Sequence, residues 1–144
     1  MAGNTTPIHG KVARTAYGTA GSGTAIDYTD GWTLNVSAEL AEALRQGQSW
    51  KEHVAGYGSW DGSFKGHLVL GNTQQKAILD NIITATPGTK LTTSTAIEFL
   101  CEDSGDYFTG DCFVTSVSVD ANVGGVVSFT VNITGNGVLS LTVA

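Results

Sequence analysis

The chain has 144 residues, of which 41% are hydrophobic and only 14% are charged, and its formal net charge is -6 at pH 7. This length supports one domain, over residues 1–144, and the composition excludes a disordered polyelectrolyte and a typical charge-coated monomer. The acidic balance argues against tight nucleic-acid binding, because that affinity comes from Lys and Arg neutralising phosphates.

The composition also predicts the fold class, and the N-terminal residues indicate the compartment in which the chain is made. Nineteen glycines, two prolines and many Thr, Ser and Val residues favour strands joined by tight turns. Residues 1–10 lack the basic and apolar regions of a secretion signal, and no window is apolar over the ~18 residues of a membrane span. We therefore expect a β-rich chain made in a cytoplasm, with no membrane insertion.

Strands are predicted in the first third of the chain. Residues 11–17 and 23–28 are typical of two short strands that flank a glycine-containing loop, which predicts a hairpin. From Trp32 to Ser37 apolar and polar side chains then alternate, and this period of two indicates a strand with one buried face.

The alternation is lost over residues 38–57, where Ala, Glu, Leu and Gln predominate. This predicts a long loop with a helical turn near residues 39–44. Loops of this length in small domains are commonly functional, and this one carries large apolar side chains that a solvated loop would not need. These are Leu40, Leu44, Trp50, Val54 and Tyr57.

Alternation resumes from Trp60 to Leu70 and predicts a strand. Its polar side carries Asp61, Ser63, Lys65 and His67. A helix is predicted next, capped by Asn72 or Thr73 and running to about residue 85. Its apolar stripe, expected to pack on the sheet, comprises Ile78, Leu79, Ile82 and Ile83.

The remaining residues are predicted to be β-strands, at residues 91–101, 107–119, 126–134 and 138–143. The dipeptide Asn136-Gly137 predicts that the last two strands form a hairpin. The alternate positions of the third strand, Ser128, Thr130 and Asn132, form a second polar side. The predicted fold class is therefore mainly β, with one flanking helix.

No catalytic, cofactor or metal site is predicted. Cys101 and Cys112 could face each other across a hairpin, but in a reducing compartment we expect two small buried hydrophobes. His9, His53 and His67 have no metal-ligand spacing to either cysteine. Acidic residues near position 104 are interpreted as a solvated turn, since nothing nearby supplies a nucleophile or an apolar pocket. We do not expect an enzyme.

The order of these elements resembles the phage major tail tube protein family. The resemblance spans nearly the whole chain and is carried by a strand opening with Trp32, a long segment with Gly47-x-x-Trp50, and a strand at Trp60-x-Gly62-Ser63. A single helix follows, and then Tyr107-x-x-Gly110 and a Gly135-Asn136-Gly137 turn.

The resemblance implies a β-sandwich or split-barrel subunit with one flanking helix. It also implies that six copies form a ring, that the inner strands of the ring join into one β-barrel, and that the rings stack into a tube in the virion tail. DNA would pass through the lumen without specific binding, and the acidity of the chain suits such a conduit. Partners would be the chain itself and the tape measure, tail tip and terminator proteins. No cofactor is implied.

We expect the lumen to be lined by one of the two polar sides, Asp61 to His67 or Ser128 to Asn132. The family's use of a long loop in stacking makes residues 38–57 the expected ring-to-ring contact, anchored by Leu40, Leu44, Trp50, Val54 and Tyr57. Two alternatives stay open. One is a tube subunit of a contractile tail or bacterial injection apparatus, and the other is a monomeric carbohydrate-binding β-domain that uses Trp50 and Tyr57.

Overall fold

The computed structural model of the chain describes residues 10–19, 21–26, 28–83, 89–92, 95–101 and 106–143. These residues form two antiparallel sheets and one α-helix, so the predicted mainly β fold with one flanking helix is confirmed. After a 3₁₀ turn at Gly10–Val12, the elements are β1 (Arg14–Gly18), β2 (Thr24–Ala25), β3 (Thr29–Ala43), β4 (Glu52–His67), α1 (Thr73–Ile83), β5 (Ala96–Leu100), β6 (Tyr107–Thr109), β7 (Cys112–Asp120), β8 (Ser128–Gly135) and β9 (Ser140–Thr142).

Five strands form the first sheet, in the order β2-β1-β5-β6-β9, and four form the second, in the order β3-β4-β8-β7. All pairings are antiparallel. The predicted N-terminal hairpin is confirmed, with Ala16 of β1 opposite Ala25 of β2. Because every strand of the second sheet reverses direction, its two edge strands, β3 and β7, run in opposite directions.

The core lies between the two sheets and the helix. Ile97 and Phe99 of β5 contribute from the first sheet, while Trp60, Phe64 and Val131 contribute from the second. Partly buried Trp32 extends this core, since its ring lies 5.2 Å from that of Phe99 in a tilted arrangement. Burial of such aromatic side chains removes a large apolar area from water, which stabilises the packing of one sheet on the other.

Helix α1 begins where the sequence predicts. The side-chain Oδ1 of Asn72 accepts a hydrogen bond from the Gln75 backbone N at 3.0 Å, as an N-cap residue does. Ile78 and Leu79 are buried and Ile82 packs against the core, but Ile83 is 64% exposed, so its assignment to the buried stripe was wrong. At 100° per residue, Ile83 lies about 90° from the middle of the stripe, where Gln75 is buried instead.

The predicted loop over residues 38–57 is contradicted, as is the helical turn within it. β3 and β4 extend through this segment and pair with each other as far as Ala43 opposite Glu52, leaving a short connection around Gly47. A β-bulge interrupts the pairing between Ala38 and Leu40. No face of this ribbon is buried, so nothing in the sequence imposes a period of two.

The C-terminal strands differ from the prediction in two respects. β9 pairs with β6 of the first sheet and not with β8, so Asn136-Gly137 joins two sheets instead of closing a hairpin. The strand predicted over residues 107–119 is broken between β6 and β7, which belong to different sheets. Cys112 therefore lies opposite Gly135 in the second sheet, and no disulfide joins it to Cys101.

Candidate assembly surfaces

The second sheet has one face on the core and one polar face. The polar positions of β4 and β8 lie opposite each other across the sheet, with Ser63 opposite Asn132 and Lys65 opposite Thr130. Both predicted polar sides therefore belong to one face. Asp61, Lys65 and Asn132 are exposed, while Ser63, His67, Ser128 and Thr130 are partly covered.

Residues that the sequence analysis did not assign complete this polar face. By register, Thr33, Asn35 and Ser37 of β3 and Ser116, Ser118 and Asp120 of β7 lie on it, and Phe113 opposite Thr134 adds an aromatic side chain. Alternation from Trp32 to Ser37 was the signal for the β3 positions, and alternation from Ser116 to Asp120 was the signal for those of β7. Ser37 and Ser59 share a hydrogen bond between their hydroxyls at 3.0 Å, and Asn132 Nδ2 donates one to Ser116 Oγ at 2.8 Å. Hydroxyl and amide groups thus form most of the face.

Neither edge of the second sheet has a partner strand within the described residues, although Leu91 forms an isolated bridge with Cys112 at the first residue of β7. β7 has 9 residues. It lies at the same height along the sheet as residues 29–37 of β3, because both strands pair, directly or through β8, with the same stretch of β4. We call the end of this sheet that carries Thr29, His67 and Ser128 the lower end, and the opposite end the upper end. Long unpaired edges expose backbone donors and acceptors and favour pairing with another chain.

Residues 38–58 project from the upper end as a two-stranded ribbon, which we call the arm. β8 accompanies β4 only up to Asp61, so the arm strands pair with each other alone. Ion pairs cross the arm near its tip, with Arg45 Nη2 3.4 Å from Glu52 Oε1 and Lys51 Nζ 3.5 Å from Glu42 Oε1. The structure places all five predicted stacking residues on the arm, and all are exposed, Trp50 by 85%: Leu40, Leu44, Trp50, Val54 and Tyr57.

Three of the sequence motifs of the resemblance meet at Trp60, at the base of the arm: the strand motif that begins with Trp60, the motif that ends with Gly110, and the turn of Gly135 to Gly137. Its indole Nε1 donates a hydrogen bond to the Gly137 carbonyl at 3.2 Å. A Cβ on Gly135 would overlap the indole, and one on Gly110 would lie 2.9 Å from Trp60 Cζ2. These two positions therefore require glycine so that β8 and the β6–β7 connection can pack directly on the ring. Trp60 thereby links the two sheets.

Side chains that could bind a metal ion do not come together within the described ranges. No cluster of three or more His, Cys, Asp or Glu residues there could hold a metal ion. Burial, and secondarily the nearby Asp111 carboxylate, raises the pKa of the Cys112 thiol to about 12, so it stays protonated and unreactive. In the same part of the chain, no helix has the length and apolar character needed to span a bilayer.

Comparison with protein families and with curated proteins finds no match for this chain. Comparison with solved structures does find similar folds. A chain from the tail of an empty gene transfer agent particle, which has C6 symmetry, is 20% identical with a TM-score of 0.73, and the match covers 94% of this chain and 99% of that one. A chain of the SPP1 tail tube is 16% identical with a TM-score of 0.71, covering 96% and 81%.

A contractile assembly provides a third similar structure. A chain from the sheath-tube complex of an extracellular contractile injection system, PVC, is 16% identical with a TM-score of 0.66, covering 97% of this chain and 94% of that one. These three matches each cover at least 94% of this chain. At the level of fold the resemblance found in the sequence is confirmed: the chain has the fold of tail tube proteins.

Proposed function

We propose that this chain is a structural subunit of a phage tail tube, and not an enzyme. Six copies form a ring, and rings stack into a hollow conduit for DNA delivery within the virion tail, after synthesis in the host cytoplasm. One observation carries the proposal: a four-stranded sheet whose outer face is polar has two edge strands of matching length without a partner strand among the described residues, apart from one bridge between Leu91 and Cys112. Such a sheet is complete only when neighbouring copies pair with its edges.

Strand direction supports closure by rotation. A rotation about the ring axis leaves each strand pointing the same way, so β7 of one copy would meet β3 of the next. These strands are antiparallel, because β3 runs from the lower to the upper end and β7 runs back. Six copies of the four-stranded sheet would therefore form a barrel of 24 strands. Every neighbouring pair of strands in it would be antiparallel, including the pairs between copies.

The dimensions of this barrel suit a conduit. At about 4.8 Å between neighbouring strands, 24 strands give a circumference of about 115 Å and a backbone diameter of about 37 Å before tilt, and tilting widens it. The polar face would line the lumen, with Asp61, Ser63 and Lys65 on β4 and Thr130 and Asn132 on β8. Short side chains there would leave most of the bore open to DNA.

Stacking would use the arm. It projects beyond the level of β7, so it remains outside the barrel wall and can reach the next ring. By register, Leu40 and Val54 lie on opposite faces of the arm, so large apolar side chains are exposed on both faces, which is typical of a segment that contacts other protein chains. At the ends of the tube we propose tape measure, tail tip and terminator proteins as partners. The same surfaces suit a contractile tail or an injection apparatus.

The proposal is tested by assembly of the purified wild-type protein. Negative-stain electron microscopy should show rings or tubes with sixfold symmetry, and sedimentation should show particles far larger than 14.9 kDa. A protein that stays monomeric at high concentration, even with its tail tip complex, would contradict the proposal. That result would favour the monomeric carbohydrate-binding alternative.

The lumen assignment is tested by cysteine labelling with a maleimide carried on a polymer too large for the tube. In a Cys101→Ser background, Ser63→Cys and Thr130→Cys should react quickly as free subunits and slowly in tubes. The matched control Thr142→Cys lies on β9 of the first sheet and is exposed, so it should react in both states. Equal rates for all three variants would place the polar face outside the lumen.

A further inference from the structure

The connection between β7 and β8 exposes valines at the lower end of the second sheet. Val123 is fully exposed and Val126 is largely exposed. The turn between them is well defined, because the Gly125 backbone N donates a hydrogen bond to the Asn122 carbonyl at 3.1 Å and Gly124 has a φ of +85°. Apolar side chains on an ordered turn, without cover, are typical of a surface that another chain contacts.

Backbone hydrogen bonds join this turn to further exposed apolar side chains. The Leu68 N donates to the Val127 carbonyl at 2.8 Å, and the His67 N donates to the Tyr28 carbonyl at 2.9 Å. These bonds hold three chain segments together at the lower end. We call the resulting apolar surface the valine rim, and its exposed residues are Tyr28, Leu70, Val123 and Val126.

The valine rim and the arm lie at opposite ends of the same sheet. When two rings stack in the same orientation, the lower end of each copy faces the upper end of a copy in the ring below. The arm carries charges of both signs, Glu39, Glu42 and Glu52 together with Arg45 and Lys51, and the lower end carries Asp30 and Asp120. The existing pairs of Arg45 and Lys51 are exposed and therefore weak, so either cation can pair again across an interface.

We propose that the valine rim of one copy is the docking surface for the arm of a second copy in the adjacent ring. The contact is heterologous, since two different surfaces of one chain meet. It therefore repeats without closing and extends the tube by one ring at a time. This inference rests on the proposed function and adds the surface that receives the arm.

The test substitutes Val123 with Asp. A carboxylate there cannot enter an apolar interface without a desolvation penalty, so rings should form but should not stack into tubes. Val123 touches nothing that the fold needs, and circular dichroism should show an unchanged spectrum. The matched control is Leu141→Asp, which places the same charge at an exposed leucine of β9 and should leave tube length unchanged.

A cross-linking measurement gives a second readout that does not depend on loss of assembly. Leu44→Cys copies are mixed with Val123→Cys copies, both in the Cys101→Ser background, and treated with a short bismaleimide. Tubes of the mixture should yield a covalent dimer of one copy of each kind. A dimer formed by Leu44→Cys copies alone would show arms meeting arms and would overturn the inference.

The outcomes separate this inference from the proposed function. Wild-type protein that forms no rings or tubes overturns the proposed function and this inference with it. Wild-type tubes together with Val123→Asp tubes of normal length overturn this inference alone. Rings without tubes for Val123→Asp, with normal tubes for Leu141→Asp, support both.

Discussion

Replacing Trp50 with Ala should abolish stacking while leaving the fold unchanged. Trp50 is 85% exposed in the subunit, so its truncation should alter the free energy of unfolding by less than about 0.5 kcal/mol. An adjacent ring that covers the indole removes on the order of 150 Å² from water, which corresponds to an upper value of about 4 kcal/mol at about 25 cal/mol per Å². Truncating interface hot spots costs at least about 2 kcal/mol, so we expect about 2 to 4 kcal/mol per contact.

Repetition makes this loss decisive for the assembly. A loss of about 2 kcal/mol weakens one contact about thirtyfold, and the ring that we propose would repeat this loss around every ring junction. Sedimentation and negative-stain microscopy should therefore show rings without long tubes. Trp50→Phe keeps an apolar ring and should retain partial stacking. Tubes of normal length from Trp50→Ala would refute the assignment, and an unfolded variant would show that Trp50 supports the subunit itself.

Three further predictions concern the subunit. Gly135→Ala should lower the free energy of unfolding by about 1 to 3 kcal/mol, because its Cβ would overlap the Trp60 indole; Gly71→Ala, whose Cβ meets open space, should change it by less than about 0.5 kcal/mol in the same denaturant titration. Burial raises the pKa of Cys112 to about 12 in the fold, from 9.0 as a free thiol. The neutral thiol therefore makes its full contribution to stability below about pH 9, and this contribution should fall as the pH rises towards 12. Denaturation near pH 8 and pH 11 checks this, with Cys112→Ala as control. Asn72→Ala should cost about 1 kcal/mol through loss of the helix cap, while Asn72→Asp should retain most of it.

Strands with one buried face were predictable, and those with none were not. Trp32 to Ser37 and Trp60 to His67 alternate because one side of each strand packs on the core. The arm has solvent on both faces, so selection for a core imposes no period there. Its Ala, Glu and Leu residues favour a helix by intrinsic propensity, and pairing with the opposite strand overrides that preference.

Two of the other incorrect sequence predictions are explained by contacts between residues that are not adjacent in sequence. Gln75 is polar in sequence, but it is buried because its side chain accepts a hydrogen bond from Val69 N and donates one to the His67 carbonyl. It thereby ties α1 to the end of β4 and takes the central position of the stripe, which leaves Ile83 at the margin. The Asn136-Gly137 turn exists, but Trp60 binds the Gly137 carbonyl and the chain continues to the other sheet. Neither partner is adjacent in sequence.

The location of charge refines the argument that acidity suits a DNA conduit. The centre of the polar face carries one anion, Asp61, and one cation, Lys65, so the excess negative charge of the chain is not concentrated there. Phosphates passing this face would meet hydroxyl and amide groups that exchange hydrogen bonds with water at little net gain. Tight binding to DNA needs several cations that neutralise neighbouring phosphates, and one lysine per subunit, on a face that also carries Asp61 and Asp120, supplies no such cluster. If this face lines the lumen, DNA slides because the wall cannot hold it, and repulsion from an acidic wall is not required.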